Sequence, residues 1–348
     1  MRDIQVNAYI PVLIPLPIMS VEYTQTCKKT LEFISELTDL EFDLDQYGRL
    51  RPEFRVLTSI FDEEINEEIK NKLIIPTHIN TRVLRISIVV SIPYSITVTQ
   101  SDSDKEELLI GDEALALHLS LIGSLLEKRI YDFAFAINIS LSRSIHILPG
   151  IINLGQSFTR IKEFNPYFIW EAYEKSKHLN WPEFKEISFS EIWKWLSRQR
   201  GFQEGFGKGR TGRALNSLVN IQLQGNLEVP ESLLWAMIGL ESIYTSGKSG
   251  LLEQVRDKSQ ILLGEQTSYK KILSKMYDIR SRFVHGELDF AAYNHIYDDD
   301  KIEKYYSEIT EAFLVALAVL VCTLQEMILR DWNGLHFQYF VGDSQDDD

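Results

Sequence analysis

The chain has 348 residues, 45% hydrophobic and 25% charged, with 50 acidic against 36 basic side chains and a formal net charge of -14. That length accommodates one large domain or two of ordinary size, and the composition is that of a soluble globular protein. The acidic balance excludes a broad nucleic-acid coat, which needs Lys and Arg spread over one face, but it leaves room for a small site that holds one or two phosphates. Cys27 and Cys322 lie far apart in apolar surroundings, so they read as buried free thiols in a reducing compartment. No Cys/His spacing of the zinc type occurs, and neither a metal nor a cofactor is expected. Met1-Arg2-Asp3-Ile4 lacks the basic region and apolar core of a secretory signal. The most apolar run, Ala312 to Cys322, is about half a membrane span and reads as a helix buried in a protein core. A cytoplasmic protein with no membrane partner is the expectation.

In chain order, Met1 to Ile18 reads as β-like, and its three prolines suggest an edge or irregular strand. Thr24 to Leu37 has helical spacing of Leu31, Ile34 and Leu37. Leu40 to Leu44 alternates acidic and apolar residues, as a half-exposed strand does. Asp62 to Leu73 predicts a short acidic helix. Arg82 to Val98 predicts strand broken at Pro93. Asp112 to Phe135 predicts a long helix with an acidic start and a basic patch at Lys128 and Arg129. Ser144 to Leu154 predicts a strand turned at Pro149-Gly150. Residues 155 to 190, with Trp170 and Trp181, read as an irregular connector. Glu191 to Arg198 is a short aromatic helix, and Gly201 to Gly212, with five glycines, a mobile loop.

From Arg213 the pattern is helical only. The predicted helices are Ala214 to Gln222, Ser232 to Tyr244 with Pro230 at its start, Leu251 to Leu263, Tyr269 to Val284 and Lys301 to Arg330. The expected class is therefore α+β. A mixed N-terminal domain of recognition or regulatory role spans 1–190, a helical domain spans 191–340, and an acidic, disordered tail closes the chain at 341–348.

One segment carries chemistry: Met276-Tyr277-Asp278-Ile279-Arg280-Ser281-Arg282-Phe283-Val284-His285-Gly286. The guanidinium of Arg280 is a permanent planar cation suited to phosphate. His285 exchanges a proton near neutral pH. RNA brings its own nucleophile, the 2′-hydroxyl, so a proton carrier and a cation that stabilises the transition state suffice. Five residues of helix set the two side chains about 140° apart. They converge if the helix ends at His285, and Gly286 favours such an ending, or if two copies meet. The bland alternative is a helix C-terminus whose dipole is stabilised by two basic side chains.

From Glu231 to Arg330, and more weakly back to Arg213, the chain resembles the Apea-like branch of the HEPN domains. The resemblance is carried by Leu240-Glu241, by Leu262-Leu263-Gly264, by Tyr277 with Asp278-Ile279-Arg280-Ser281 before Val284-His285-Gly286, and by the long closing helix after a polar loop at Tyr297 to Lys301. It implies a helical bundle that forms a homodimer, with Arg280 and His285 of two protomers in one cleft. Ser281 stands where many catalytic members carry Asn, Asp or His. It further implies a metal-independent endoribonuclease, an antiviral or toxin-type effector in which Ser281 or Arg282 assists and Tyr277 supports the site. The alternative is a non-catalytic module that dimerises and binds RNA or a protein partner, with the N-terminal domain receiving the partner or trigger.

Other features weigh less. Gly205 to Arg213 is not a phosphate loop of the Walker type, because Gly209 follows Lys208 where Ser or Thr is needed. It reads first as a linker and second as a flexible basic loop in which Lys208 and Arg210 help hold RNA. Glu241 is placed to pair across the bundle with Arg280 or Arg282, or to serve only the surface. His295 lies ten residues after His285, within conceivable reach of the site. His78, His118, His146, His178 and His336 read as isolated structural or surface histidines. The apolar faces of Ser232 to Tyr244 and Phe313 to Met327 are expected to exceed what one small bundle covers, which favours a two-fold dimer.

Overall fold

The computed structural model of the chain describes residues 1–15, 21–73, 80–99, 106–155, 157–199, 207–223, 229–247, 249–266, 270–287 and 300–338. The fold is mixed α+β, an antiparallel sheet region followed by a mostly helical portion. It divides into two compact units, Met1–Trp170 with Gln222–Asn226, and Glu171–Ile221 with Leu227–Asp348.

The first unit is organised by two long strands, β1 (Arg2–Leu13) and β5 (Thr81–Ile92), paired antiparallel from Arg2↔Ile92 to Leu13↔Thr81. The sheet order is β10-β9-β1-β5-β4, with β4 at Glu53–Leu57, β9 at Gly150–Asn153 and β10 at Phe158–Ile161, and with β8 (His146–Ile147) also on β1. Alternation fixes its faces. Val6, Ala8, Ile10 and Val12 are buried on one side together with Leu84, Ile86, Ile88 and Val90. Phe54 of β4, in register with Ile86, stacks on Phe133 at a centroid distance of 5.1 Å. Phe133 belongs to α3 (Asp112–Asn138), so this face is covered by that helix. Tyr9, Leu57, Val83 and Ile151 point the other way and pack on Ile65, Ile69 and Leu73 around α2 (Glu67–Lys72).

Several expectations change here. The first strand is central, with β5 on one side and β8 and β9 on the other. Pro11 is tolerated because it falls opposite the break between β8, which pairs Val12 and Leu13, and β9, which pairs Asn7 to Tyr9. Leu40 to Leu44 supplies only β2 (Phe42–Asp43), paired with β3 (Arg49–Leu50). The acidic helix begins only after Asn66, whose side chain accepts from the Ile69 amide. Pro93 does part β5 from β6 (Ser95–Thr99), which forms a hairpin with β7 (Glu106–Ile110). Arg129 is no surface patch. It is buried, its Nη1 2.7 Å from Asp132 Oδ2 and its Nε donating to the Asp43 carbonyl at 2.6 Å. Residues 155 to 190 are not an irregular connector, since they contain β10 and α4 (Tyr167–Leu179).

In the second unit, α5 (Phe189–Leu196) opens with a capping box between Ser188 and Glu191. Then follow α6 (Gly209–Leu223), α7 (Val229–Tyr244), α8 (Leu251–Leu263), α9 (Lys270–Val284) and α10 (Asp300–Leu329). Gly209 to Gly212, expected as loop, is the first turn of α6, while residues 201–206 of that stretch lie outside the described residues. The centre is α10, packed by α5, α7, α8 and α9. Its Lys304–Leu329 stretch has the length and hydropathy of a membrane span, and 89% of the apolar window is buried inside the protein. Every residue from Ala312 to Gln325 is buried. Gly239 of α7 permits the close approach, because a Cβ there would lie 2.7 Å from Leu320 Cδ2. The expectation that these two faces exceed one bundle is thereby corrected: α7 and α10 bury them largely against each other and against α8 and α9 within a single chain. Cys27 and Cys322 are free and buried.

Candidate functional site

Helix α9 is amphipathic. Leu273, Met276 and Ile279 form its buried stripe, and Ser274, Asp278, Ser281 and Arg282 lie on its exposed side. It ends as its sequence predicts. Gly286 takes a φ of 71°, its amide donates to the Phe283 carbonyl at 3.2 Å, and the Glu287 amide donates to the Arg282 carbonyl at 2.8 Å. These two bonds make a Schellman ending with glycine in the left-handed position. His285 is the residue just before that glycine, its amide bonded to the Ser281 carbonyl at 3.0 Å and its side chain exposed.

Arg280 turns toward α7. Its Nη2 lies 3.4 Å from Glu241 Oε2, with side-chain exposures of 29% for Arg280 and 18% for Glu241. Of the two partners foreseen for Glu241, Arg280 is the one it meets. The pair is incomplete: Arg280 Nε and Glu241 Oε1 are buried atoms with no hydrogen-bond partner among the described residues. Burial pushes the Glu241 carboxyl above the usual glutamate range, and the Arg280 charge opposes that shift in part. Tyr277, one turn before Arg280, donates its hydroxyl to the Leu251 carbonyl at 3.2 Å. Burial raises this hydroxyl, Glu241 raises it further and Arg280 lowers it, which places all three groups in one electrostatic neighbourhood.

Arg282 faces solvent instead, 3.8 Å from Asp278. Ser281 is exposed. Among the described residues no hydrogen bond or ion pair joins Arg280 to His285, as their separation around the helix dictates. The start of α6 is held near Glu241, because Ser242 Oγ donates to the Arg210 carbonyl at 3.1 Å. Lys208 and Arg210 thus stand exposed on the segment that meets the last turn of α7. Lys258 of α8 closes that turn, donating from Nζ to the Tyr244 carbonyl at 2.7 Å. His295 lies outside the described residues.

The isolated histidines that pair do so structurally, His118 with the Tyr47 hydroxyl at 2.8 Å and His146 with Glu163 at 2.7 Å. Among the described residues no group of three His, Cys, Asp or Glu side chains gathers as a metal set. A groove of about 690 Å³, lined by Ile261, Leu262, Trp332, His336 and Phe337 among others, follows α10. Sequence reasoning missed it, and none of the candidate site residues lines it. One wall comes from α8 and the other from the turn after Asp331, a residue whose left-handed φ of 57° ends α10 where no glycine announces an ending.

Comparison with protein-family models, with curated proteins and with solved structures finds no match to this chain.

Proposed function

We propose that the second unit is a HEPN-type endoribonuclease module, metal-independent, serving as an antiviral or toxin-type effector. The observation that carries this reading is the end of α9. There the chain presents an exposed histidine on a glycine-terminated helix, and an arginine within the same two turns keeps an unsatisfied Nε. In the proposed reaction the RNA 2′-oxygen attacks the adjacent phosphorus and the P–O5′ bond breaks. A base removes the 2′-hydroxyl proton and an acid protonates the leaving 5′-oxygen, yielding a 2′,3′-cyclic phosphate and a 5′-hydroxyl. His285 handles the proton, Arg280 neutralises the phosphate, and Ser281 or Arg282 assists. Two copies supply two histidines, one for each transfer. Lys208 and Arg210 hold the flanking backbone, and the N-terminal unit receives the partner or trigger.

A second reading, a non-catalytic module that binds RNA or a protein partner, is favoured by one observation: Glu241 already neutralises Arg280. One experiment separates them. Purified protein and its Arg280→Ala and His285→Ala variants are incubated with single-stranded RNA and with DNA of the same sequence, in EDTA. The nuclease reading expects RNA cleavage by the wild type alone and no cut DNA. Intact RNA in every lane, with RNA still bound, selects the second reading. Light scattering at tens of micromolar tests the dimer, and a strict monomer removes the two-histidine form of the mechanism.

A further inference from the structure

We infer that Glu241 is a built-in competitor of the phosphate for Arg280, so that anion binding at this site requires the carboxylate to let go of the guanidinium. The inference rests on the reading of Arg280 as the phosphate-binding cation. It starts from the imperfection of the pair. A well-made Arg–carboxylate pair is bidentate, with two short parallel bonds. Here one contact of 3.4 Å joins Nη2 to Oε2, and the two atoms that would complete the fork, Nε and Oε1, are buried without partners among the described residues. Glu241 therefore holds the arginine without saturating it, and a guanidinium released from the carboxylate and turned outward can offer its Nε and Nη donors to two phosphate oxygens.

The surroundings make the competition titratable. Arg280 and Tyr277 face Glu241 from α9, and Arg280 is the charge that acts on its carboxyl. From α8, Glu253 acts on Tyr277, and Lys258 is engaged with the Tyr244 carbonyl and Gln254. From α10, Glu326 acts on Tyr244 and is bonded to Arg330. At the start of α6, the charge of Arg210 acts on Lys258. Arg280 is thus the cation bonded to the Glu241 carboxylate. Protonating Glu241 frees Arg280, so anion affinity rises as pH falls. Burial raises this carboxyl, which moves the transition above that of an exposed glutamate. Glu241 is in this sense a positioning residue. It holds the guanidinium against α7 until an anion competes, and it sets the affinity at which phosphate displaces it.

The probe is a 2′-O-methyl RNA oligonucleotide, which cannot be cleaved, followed by fluorescence anisotropy between pH 5 and 8. All proteins carry His285→Ala, so that the comparison isolates Glu241 and Arg280. Against that background, Glu241→Gln binds about tenfold tighter at pH 7.5, the size of an ordinary coupling between two sites. It also loses most of the acid-dependent gain that the Glu241 protein shows. Arg280→Ala binds weakly at every pH, with or without Glu241→Gln. The inference is overturned if Glu241→Gln weakens binding as Arg280→Ala does, or if its affinity and pH profile match those of the Glu241 protein. Tighter binding by Glu241→Gln together with no RNA cleavage by the wild type keeps this inference and removes the nuclease reading. RNA cleavage by the wild type with no effect of Glu241→Gln on binding does the reverse.

Discussion

Arg129–Asp132 in the first unit and Arg280–Glu241 in the second are arginine–carboxylate pairs drawn back from the open surface, and they differ in geometry, burial and hydrogen bonding. Arg129 and Asp132 sit on one helix three residues apart, 2.7 Å from each other, each side chain 8% exposed. That arginine also donates from Nε to the Asp43 carbonyl at 2.6 Å. Arg280 and Glu241 come from two helices, stand 3.4 Å apart at 29% and 18% exposure, and leave Nε and Oε1 unsatisfied. The first pair is closed. Its Nε and Nη1 both donate inside the protein, and it pins the Phe42–Asp43 strand to α3. The second is open, with hydrogen-bonding capacity that none of the described residues uses. A buried pair is weak proof of stability, since desolvation opposes the attraction, but breaking one strands a buried charge. An open pair costs little to break and has something left to offer a ligand.

The comparison predicts opposite outcomes for similar substitutions. The largest effect concerns the open site. Arg280→Ala and His285→Ala each lower RNA cleavage by about 10²–10⁴-fold, the usual contribution of a positioned proton carrier or its electrostatic partner. Circular dichroism and urea denaturation stay at wild-type values. Arg280→Lys restores little, because an ammonium cannot make the planar two-point contact.

Next is the closed pair, where Asp132→Ala destabilises the protein by about 3–5 kcal/mol, since Arg129 is left buried and uncompensated. Urea denaturation measures it, and a change below about 1 kcal/mol erases the distinction between the pairs. The closed pair also has a pH signature. Burial lifts Asp132 to about 6, against the attraction of Arg129 and Lys128. The folded state then holds a proton that the unfolded chain releases near pH 4. Stability from this group is therefore present below about pH 4 and lost as pH rises through about 6. Asp132→Asn removes that slope, which shows as a difference between the two urea midpoints across that window.

The smallest effect is at Gly286, where no described atom lies within 4 Å of an added Cβ and the φ of 71° is what resists it. Gly286→Ala costs about 1 kcal/mol, read as a drop in melting temperature. A larger loss means that the end of α9 is more tightly packed than its exposure suggests.

Much of this was legible in the sequence, for identifiable reasons. The α+β division follows from periodicity. The end of α9 at His285 and Gly286 follows from local chemistry, a glycine after an amphipathic run. Glu241 was a nameable partner because it lies on a helix predicted to face α9. What failed needed the third dimension. Lys128 and Arg129 look alike as neighbours, and only Asp132 and the Asp43 carbonyl turn one of them inward. Residues 155 to 190 looked irregular because their aromatics mask the short apolar periods of β10 and α4. The faces of α7 and α10 looked excessive because a sequence does not show that one 30-residue helix is enclosed by four others. The missing bonds of Nε and Oε1 have no sequence signal at all.

The most direct test of the Arg280 and His285 site is the chemistry of the RNA ends. Wild-type protein is incubated with single-stranded RNA in EDTA beside Arg280→Ala, His285→Ala and Asp132→Asn, each matched for folded protein. The expected result is 2′,3′-cyclic phosphate and 5′-hydroxyl ends from the wild type and Asp132→Asn, and none from the other two. Equal cleavage by His285→Ala, cleavage of DNA, or products ending in a 5′-phosphate contradicts it.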